Sequence, residues 1–158
     1  MTQNLEIIPC NLGLPEHRAA VVSLINRYIL DDMGGGEPLS GEAGKRLLSG
    51  LEARRTTILL LAKVGDEYAG LLTAFDNFST FTARSMINIH DVFVDARFRG
   101  QGLGRRLMEA IIAEGRRRNS SRISLEVRVD NTSAKCLYAD LGFREVMPGM
   151  HYWRLHLS

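Results

Sequence analysis

Between Val94 and Leu107 the chain reads V-D-A-R-F-R-G-Q-G-L-G-R-R-L, with Gly100, Gly102 and Gly104 at alternate positions and Arg97, Arg99, Arg105 and Arg106 around them. An apolar run from Ile87 to Val94 precedes this turn and a 3.6-residue apolar pattern follows it, so the glycines fall where a strand becomes a helix. The first amides of a helix have no internal acceptor and sit at the positive end of its dipole. Glycines keep Cβ atoms off that backbone, so a phosphate can approach it closely. The chemistry on offer is the cradling of a diphosphate.

Spacing separates the motifs that compete for this stretch. A dinucleotide turn of the form G-x-G-x-x-G would need glycine where Arg105 stands, reading from Gly100, or where Leu107 stands, reading from Gly102. A phosphate loop needs Gly-Lys-Ser or Gly-Lys-Thr, and neither occurs in the chain. An ordinary strand-to-helix turn with solvated arginines is the plain alternative. Arg99-x-x-Gly102-x-Gly104 directly after a hydrophobic strand is similar to the R/Q-x-x-G-x-G/A acyl-CoA signature of the GNAT N-acetyltransferase superfamily. A second stretch, Val129 to Phe143, resembles the pattern N-x-x-A-x-x-x-Y-x-x-x-G-F of that superfamily, with matches at Asn131, Ala134, Tyr138, Gly142 and Phe143.

The resemblance implies an acetyl-CoA-dependent N-acetyltransferase with no metal. It assigns the pyrophosphate to Arg99, Gly100, Gln101, Gly102, Leu103, Gly104 and Arg105, and the thioester and pantetheine arm to the main chain of Phe93 and Val94. Asn131 would cap a helix and also donate to the pantetheine amides, and Tyr138 would protonate the departing thiolate. A lysine-like amine with a pKa of about 10.4 is almost wholly protonated at neutral pH, so something must take its proton. His90 is the candidate base, directly or through a water, since imidazole titrates near neutrality. It stands where relatives place a glutamate. A half-buried strand histidine is the structural alternative, and Asp91 could orient the imidazole or act itself. Adjacent strand residues point to opposite faces, so His90 and Asp91 line one pocket only if a bulge re-aims one of them.

The apolar parity of this strand slips between Ile87 and Ile89 on one side and Val92 and Val94 on the other. Either an extra residue sits around His90 and Asp91, or the strand is buried on both faces. In the superfamily the acceptor is bound by the first helices, their loop and the C-terminal strands. Here those positions carry Asp31, Asp32, Glu37, Asp76, Tyr152 and Trp153, with Asp91 nearby. Acids and aromatics suit a cationic small-molecule amine, although such charges also serve as an ordinary solvated loop. A protein or peptide amine is the alternative acceptor, and a non-catalytic acyl-CoA sensor the alternative to an enzyme. Dimers are common among relatives, which makes a homodimer an expectation of the resemblance.

The elements that must hold these residues follow in order. Leu5 to Pro9 reads as a strand, and Pro15 to Leu30 as a helix with Val21, Leu24, Ile25, Tyr28 and Ile29 on one face. Residues 31–38 include three consecutive glycines and read as a mobile loop. A helix over Gly41 to Arg54 precedes a hairpin of Thr57 to Val64 and Tyr68 to Phe75, after which residues 76–84 read as a polar connection. The strand Ser85 to Val94 leads through the glycine turn into a helix ending near Arg118. An alternating strand over Ile123 to Val129 and a helix from an Asn131 cap to a Gly142 stop come next. Two short strands, Phe143 to Val146 and His151 to Leu157, finish the chain. The order predicts a mixed α/β (α+β) fold, with a sheet of six to seven strands, about four helices and a right-handed parallel crossover around the glycine turn. That order also resembles the GNAT fold.

The length of 158 residues suits one domain spanning the whole chain, with 24% charged and 45% hydrophobic residues. A net charge of +2, with arginine clusters that lack interleaved aromatics, argues against a nucleic-acid partner. Cys10 and Cys136 give neither a disulfide framework nor zinc spacing. No apolar run approaches a membrane span and the opening M-T-Q-N-L-E is no signal peptide, so the expectation is a cytoplasmic protein without a membrane partner.

Overall fold

The computed structural model describes residues 4–157, and the chain divides into two compact units, Met1–Glu126 and Val127–Ser158. The first unit runs β1 (Leu5–Pro9), α1 (Pro15–Leu30), α2 (Gly41–Ala53), β2 (Thr57–Val64), β3 (Glu67–Ser79) and β4 (Arg84–Val94). A 3-10 turn (Ala96–Phe98), α3 (Leu103–Arg117) and β5 (Ile123–Leu125) complete it. The strands lie in the order β1-β2-β3-β4-β5, antiparallel up to β4 and parallel between β4 and β5. This is the mixed sheet with one crossover that the element order requires, because a helix separates β4 from β5.

Each face of the sheet buries its own set of side chains. Leu59, Leu61, Leu71 and Phe93 pack with Ala20, Val21 and Leu24 of α1 and Leu48 and Leu51 of α2. The opposite parity carries Leu72, Ala74, Ile87 and Ile89, all buried. Here α3 lies close: a Cβ on its Gly115 would come within 3.0 Å of Ile123 and 3.5 Å of Ile87. Leu103, Leu107, Met108 and Ile111 recur at helical spacing and are essentially inaccessible. At about 1.5–3 kcal/mol per buried large apolar side chain, this stripe fixes α3 and with it the turn before it.

Three expectations need correction. Residues 76–84 are not wholly a connection, because β3 runs on to Ser79 and its ladder with β4 continues through Asp76↔Ile87 to Ser79↔Arg84. Polar side chains at 76–84 are compatible with an antiparallel ladder, which can face water on one side. Second, β5 stops at Leu125 rather than Val129: its parallel pairing with β4 ends at Ile89↔Leu125, where β4 changes register. Third, residues 143–146 and 151–157 form no strand, so the described sheet has five strands and not six to seven. Val146, Trp153, Leu155 and Leu157 stay exposed in those two stretches.

In the second unit, α4 (Thr132–Asp140) begins as expected at Asn131, whose side chain accepts from the Ala134 amide at 3.2 Å. It ends on Gly142 at φ +97°, with the Phe143 amide donating to Tyr138 O and the Gly142 amide to Ala139 O. That paired closure uses glycine's access to positive φ to satisfy the last carbonyls.

Candidate active site

The register of β3 against β4 places the bulge on one residue. Ala74 stands opposite Ile89 and Thr73 opposite Asp91, which leaves His90 as the extra residue. Phe75 and Thr73 are two apart on β3 and share a face. The His90 ring meets Phe75 edge-on, centroids 5.9 Å apart, and the Thr73 hydroxyl donates to the Asp91 carboxylate. His90 and Asp91 therefore point the same way, toward the face that carries α1 and α2, although they are neighbours in sequence. His90 is exposed and Asp91 half-buried.

The same bulge ends the pairing of β4 with β5. Beyond Ile89 the main chain of β4 on its β5 side has no strand partner among the described residues, and this segment includes Phe93 and Val94. Past Val94, Asp95 caps the 3-10 turn by accepting from the Arg97 amide at 3.0 Å, and the chain reverses through Gly100 at φ +77° and Gly102 at φ +82°. Gly102 is the N-cap of α3 and offers it no side-chain hydrogen bond. The first helical bond is Arg106 N–H to Gly102 O, so the amides of Leu103 and Gly104 precede the intrahelical ladder. A Cβ added at Gly100 or Gly102 would meet nothing within 4 Å, so the space beside this turn is open. Positive φ, open space and unladdered amides at a helix N-terminus together fit a diphosphate.

The arginines around the turn are largely committed to the protein. Arg97 bonds Asp95 and Glu67, and Arg106 donates to Leu5 O at 3.0 Å. Arg99 donates to Val94 O at 2.9 Å and to the Asp31 carboxylate at 2.6 Å, with its guanidinium 5.9 Å from the Phe93 ring. Phe93 in turn stacks on Tyr28 at 5.3 Å. Burial pushes the Asp31 carboxyl up, but the hydrogen bond from Arg99, the Met33 amide and the Arg99 charge outweigh it and hold the group below its usual range. The buried Asp95 is likewise held low, because the bonds from Arg97 and Arg27 outweigh its desolvation.

Of the acceptor candidates, Asp31 lies at the C-cap of α1 in this ion pair, and Asp32 and Glu37 are exposed on the loop that follows. That loop is tied down rather than free of contacts. Gly34 N–H donates to Asp31 O, Gly35 N–H to Ile29 O, and Leu39 N–H to the Asn26 side chain. Asp76 is taken by Arg118 at 2.9 Å. In the second unit Tyr138 sits half-buried on α4, its ring 6.0 Å from that of Phe143, and Tyr152 and Trp153 are exposed. Cys10 and Cys136 are free, and burial pushes the Cys10 thiol up to about 11. Among the described residues no cluster of three or more His, Cys, Asp or Glu could hold a metal, and no helix is long and apolar enough to cross a membrane.

Sequence reasoning missed Gly70, Thr73 and Asp95. A Cβ on Gly70 would come 2.6 Å from Phe93 O, so only glycine lets β3 approach the end of β4 this closely. An isolated glycine inside a strand pattern was the available signal. Thr73 and Asp95 had none, because their roles depend on cross-strand pairing and on Arg27, far away in the chain.

The model of the Acetyltransferase (GNAT) family matches residues 28–143. A ribosomal protein bS18-alanine N-acetyltransferase of Salmonella typhimurium is 35% identical over 94 residues, which cover 56% of this chain and 64% of the relative. The chain thus matches somewhat under two thirds of that curated relative's length. A crystal structure of a probable acetyltransferase superposes with TM-score 0.80 at 21% identity, covering 97% of this chain and 98% of the other. An aminoglycoside acetyltransferase from an uncultured soil metagenomic sample superposes with TM-score 0.75 at 22% identity, covering 98% and 99%. At these identities the two structures speak for the fold.

Proposed function

The chain belongs to the GNAT acetyltransferase family, and from that premise we propose that it transfers the acetyl group of acetyl-CoA to the primary amine of a small-molecule acceptor. The observation that carries this reading is the continuity of β4, which holds the bulged His90 and then runs directly into the positive-φ glycine turn. The candidate proton acceptor thus stands on β4, and the candidate diphosphate cradle follows it after one 3-10 turn at the start of α3, an arrangement of the kind that acyl transfer rewards.

Acetyl-CoA, when bound, supplies the thioester. The amides of Leu103 and Gly104, with the glycine turn, would hold its diphosphate, and the edge of β4 beyond Ile89, which has no strand partner on its β5 side among the described residues, would take the pantetheine arm. His90 accepts the proton that the amine must lose to form its bond to the acetyl carbon, directly or through a water. Tyr138, assigned by its place in the second motif, gives its hydroxyl proton to sulfur as the carbon–sulfur bond breaks. The products are an acetamide and free CoA.

A small-molecule amine is the acceptor we favour, because Asp91 lies on the face of His90 and can draw a cation toward it. A second reading, the α-amine of a protein N-terminus, is favoured by the bS18-alanine relative. Thiol release from acetyl-CoA, measured against polyamines, aminoglycosides, amino acids and an alanine-initiated peptide, tests both. Release with amines such as polyamines or aminoglycosides supports the first, and release with the peptide alone supports the second. No release above background with any amine, despite CoA binding, rejects the enzyme in favour of an acyl-CoA sensor.

A further inference from the structure

The side chain of Arg99 is expected at the diphosphate from the motif it belongs to, yet every polar contact it makes in the structure points elsewhere. One arm holds Val94 O at the end of β4, and the other holds Asp31 Oδ2 at 2.6 Å. Asp31 is at the same time the organiser of the α1–α2 loop. Its Oδ1 accepts from the Met33 amide at 3.1 Å, its main-chain oxygen accepts from the Gly34 amide at 2.8 Å, and its own amide closes α1 on Tyr28 O. Gly34 has no room for a side chain, since a Cβ there would come 2.0 Å from Tyr28 O. The loop carrying Asp32 and Glu37 is thus folded back on α1, and the Asp31–Arg99 ion pair ties its start to the turn that leads into the cradle, beside the Arg27–Asp95 pair from the last turn of α1.

We propose that Arg99 and Asp31 form a positioning clasp that sets the acceptor loop against the end of β4, while the diphosphate is bound by main-chain amides without the Arg99 guanidinium. The inference rests on the function proposed above and assigns the clasp a part in acceptor binding. Charge-assisted bonds of this length, with the aspartate side chain largely shielded, are the strong kind. The guanidinium lies over the Phe93 ring at 5.9 Å, and Phe93 in turn stacks on Tyr28 of α1.

The test uses Arg99→Gln, Asp31→Asn and the double variant in the full chain. Three quantities are measured: the Kd of CoA by calorimetry, amide exchange over residues 31–36 without ligand, and the KM of whichever amine the thiol-release panel identifies. The clasp predicts that both single variants speed exchange over 31–36 by about tenfold, with the double variant no worse than either. It also predicts that amine KM rises while CoA Kd stays within about twofold. Arg99→Lys, which keeps the charge but cannot reach both oxygens, should behave like Arg99→Gln. The proposal is overturned if Arg99→Gln weakens CoA by about tenfold or more while Asp31→Asn tightens it, which is the pattern of a phosphate ligand freed from a competitor. Unchanged loop exchange would overturn it too. Failure of wild-type protein to bind CoA at all would instead remove the proposed function, and the exchange experiment would still decide the clasp.

Discussion

Thr73 of β3 donates its hydroxyl hydrogen to the carboxylate of Asp91 on β4, across the first residue pair beyond the bulge at His90. Thr73 is almost fully buried, so this bond fixes the rotamer of Asp91 on the side where His90 also projects. Thr73→Val keeps the shape and deletes the donor. It should cost about 1–2 kcal/mol in urea unfolding, and it should lower turnover more than CoA affinity because only the strand face toward the acceptor changes.

Gly70 and Gly50 make opposite expectations for the same substitution. Gly70→Ala pushes a methyl group into Phe93 O, a main-chain atom of β4, and should destabilise the protein by about 1–3 kcal/mol. Gly50→Ala lies within α2, where the new methyl meets only the far end of the Arg54 side chain, and should stabilise by about 0.5–1 kcal/mol. Thermal or urea unfolding of the pair checks both signs.

The parts of the site that were legible in the sequence are the ones written in local periodicity. Alternating glycines before a helical stripe located the positive-φ turn ahead of α3, and the odd spacing between Ile89 and Val92 offered either a bulge around His90 and Asp91 or a doubly buried strand, of which the register bears out the bulge. Asn131 and Gly142 announced the ends of α4 by their chemistry alone. What failed was whatever depended on pairing. The alternation of residues 151–157 says which faces a strand would have and not whether an edge is available to it, and those residues pair with no strand among the described residues. The fate of the arginines was equally hidden, since Arg27–Asp95 and Arg99–Asp31 each join residues 68 apart.

At the far end of α3, hydrogen bonding by Arg117 draws the Glu114 carboxyl down against the opposing effect of burial, and Arg118 draws it further, to about 2. A depressed folded-state pKa means that the unfolded chain takes up the proton first. The stabilisation is therefore complete above the ordinary glutamate range and is lost as pH falls from about 4.5 toward 2. Glu114→Gln should show a deficit in unfolding free energy at pH 7 that closes across this window. A deficit independent of pH would refute the assignment.

The roles proposed for His90 and Tyr138 are separable. His90→Ala should lower kcat/KM by about a hundredfold or more, the usual worth of a positioned general base. An unchanged kcat/KM would pass the role to Asp91 or to ordered water. Tyr138→Phe keeps the ring against Phe143 and removes the hydroxyl alone, so kcat should fall by a similar factor while CoA Kd changes far less.

The cradle itself is tested most directly by titrating CoA calorimetrically into wild-type protein and Gly102→Val. Valine at φ +82° places a β-branched side chain in a left-handed conformation, in the open space beside the first amides of α3. Wild-type protein should bind CoA in a one-to-one complex, and Gly102→Val, still folded by circular dichroism, should bind about a hundredfold more weakly or not at all. Equal affinity in the two proteins would contradict the account.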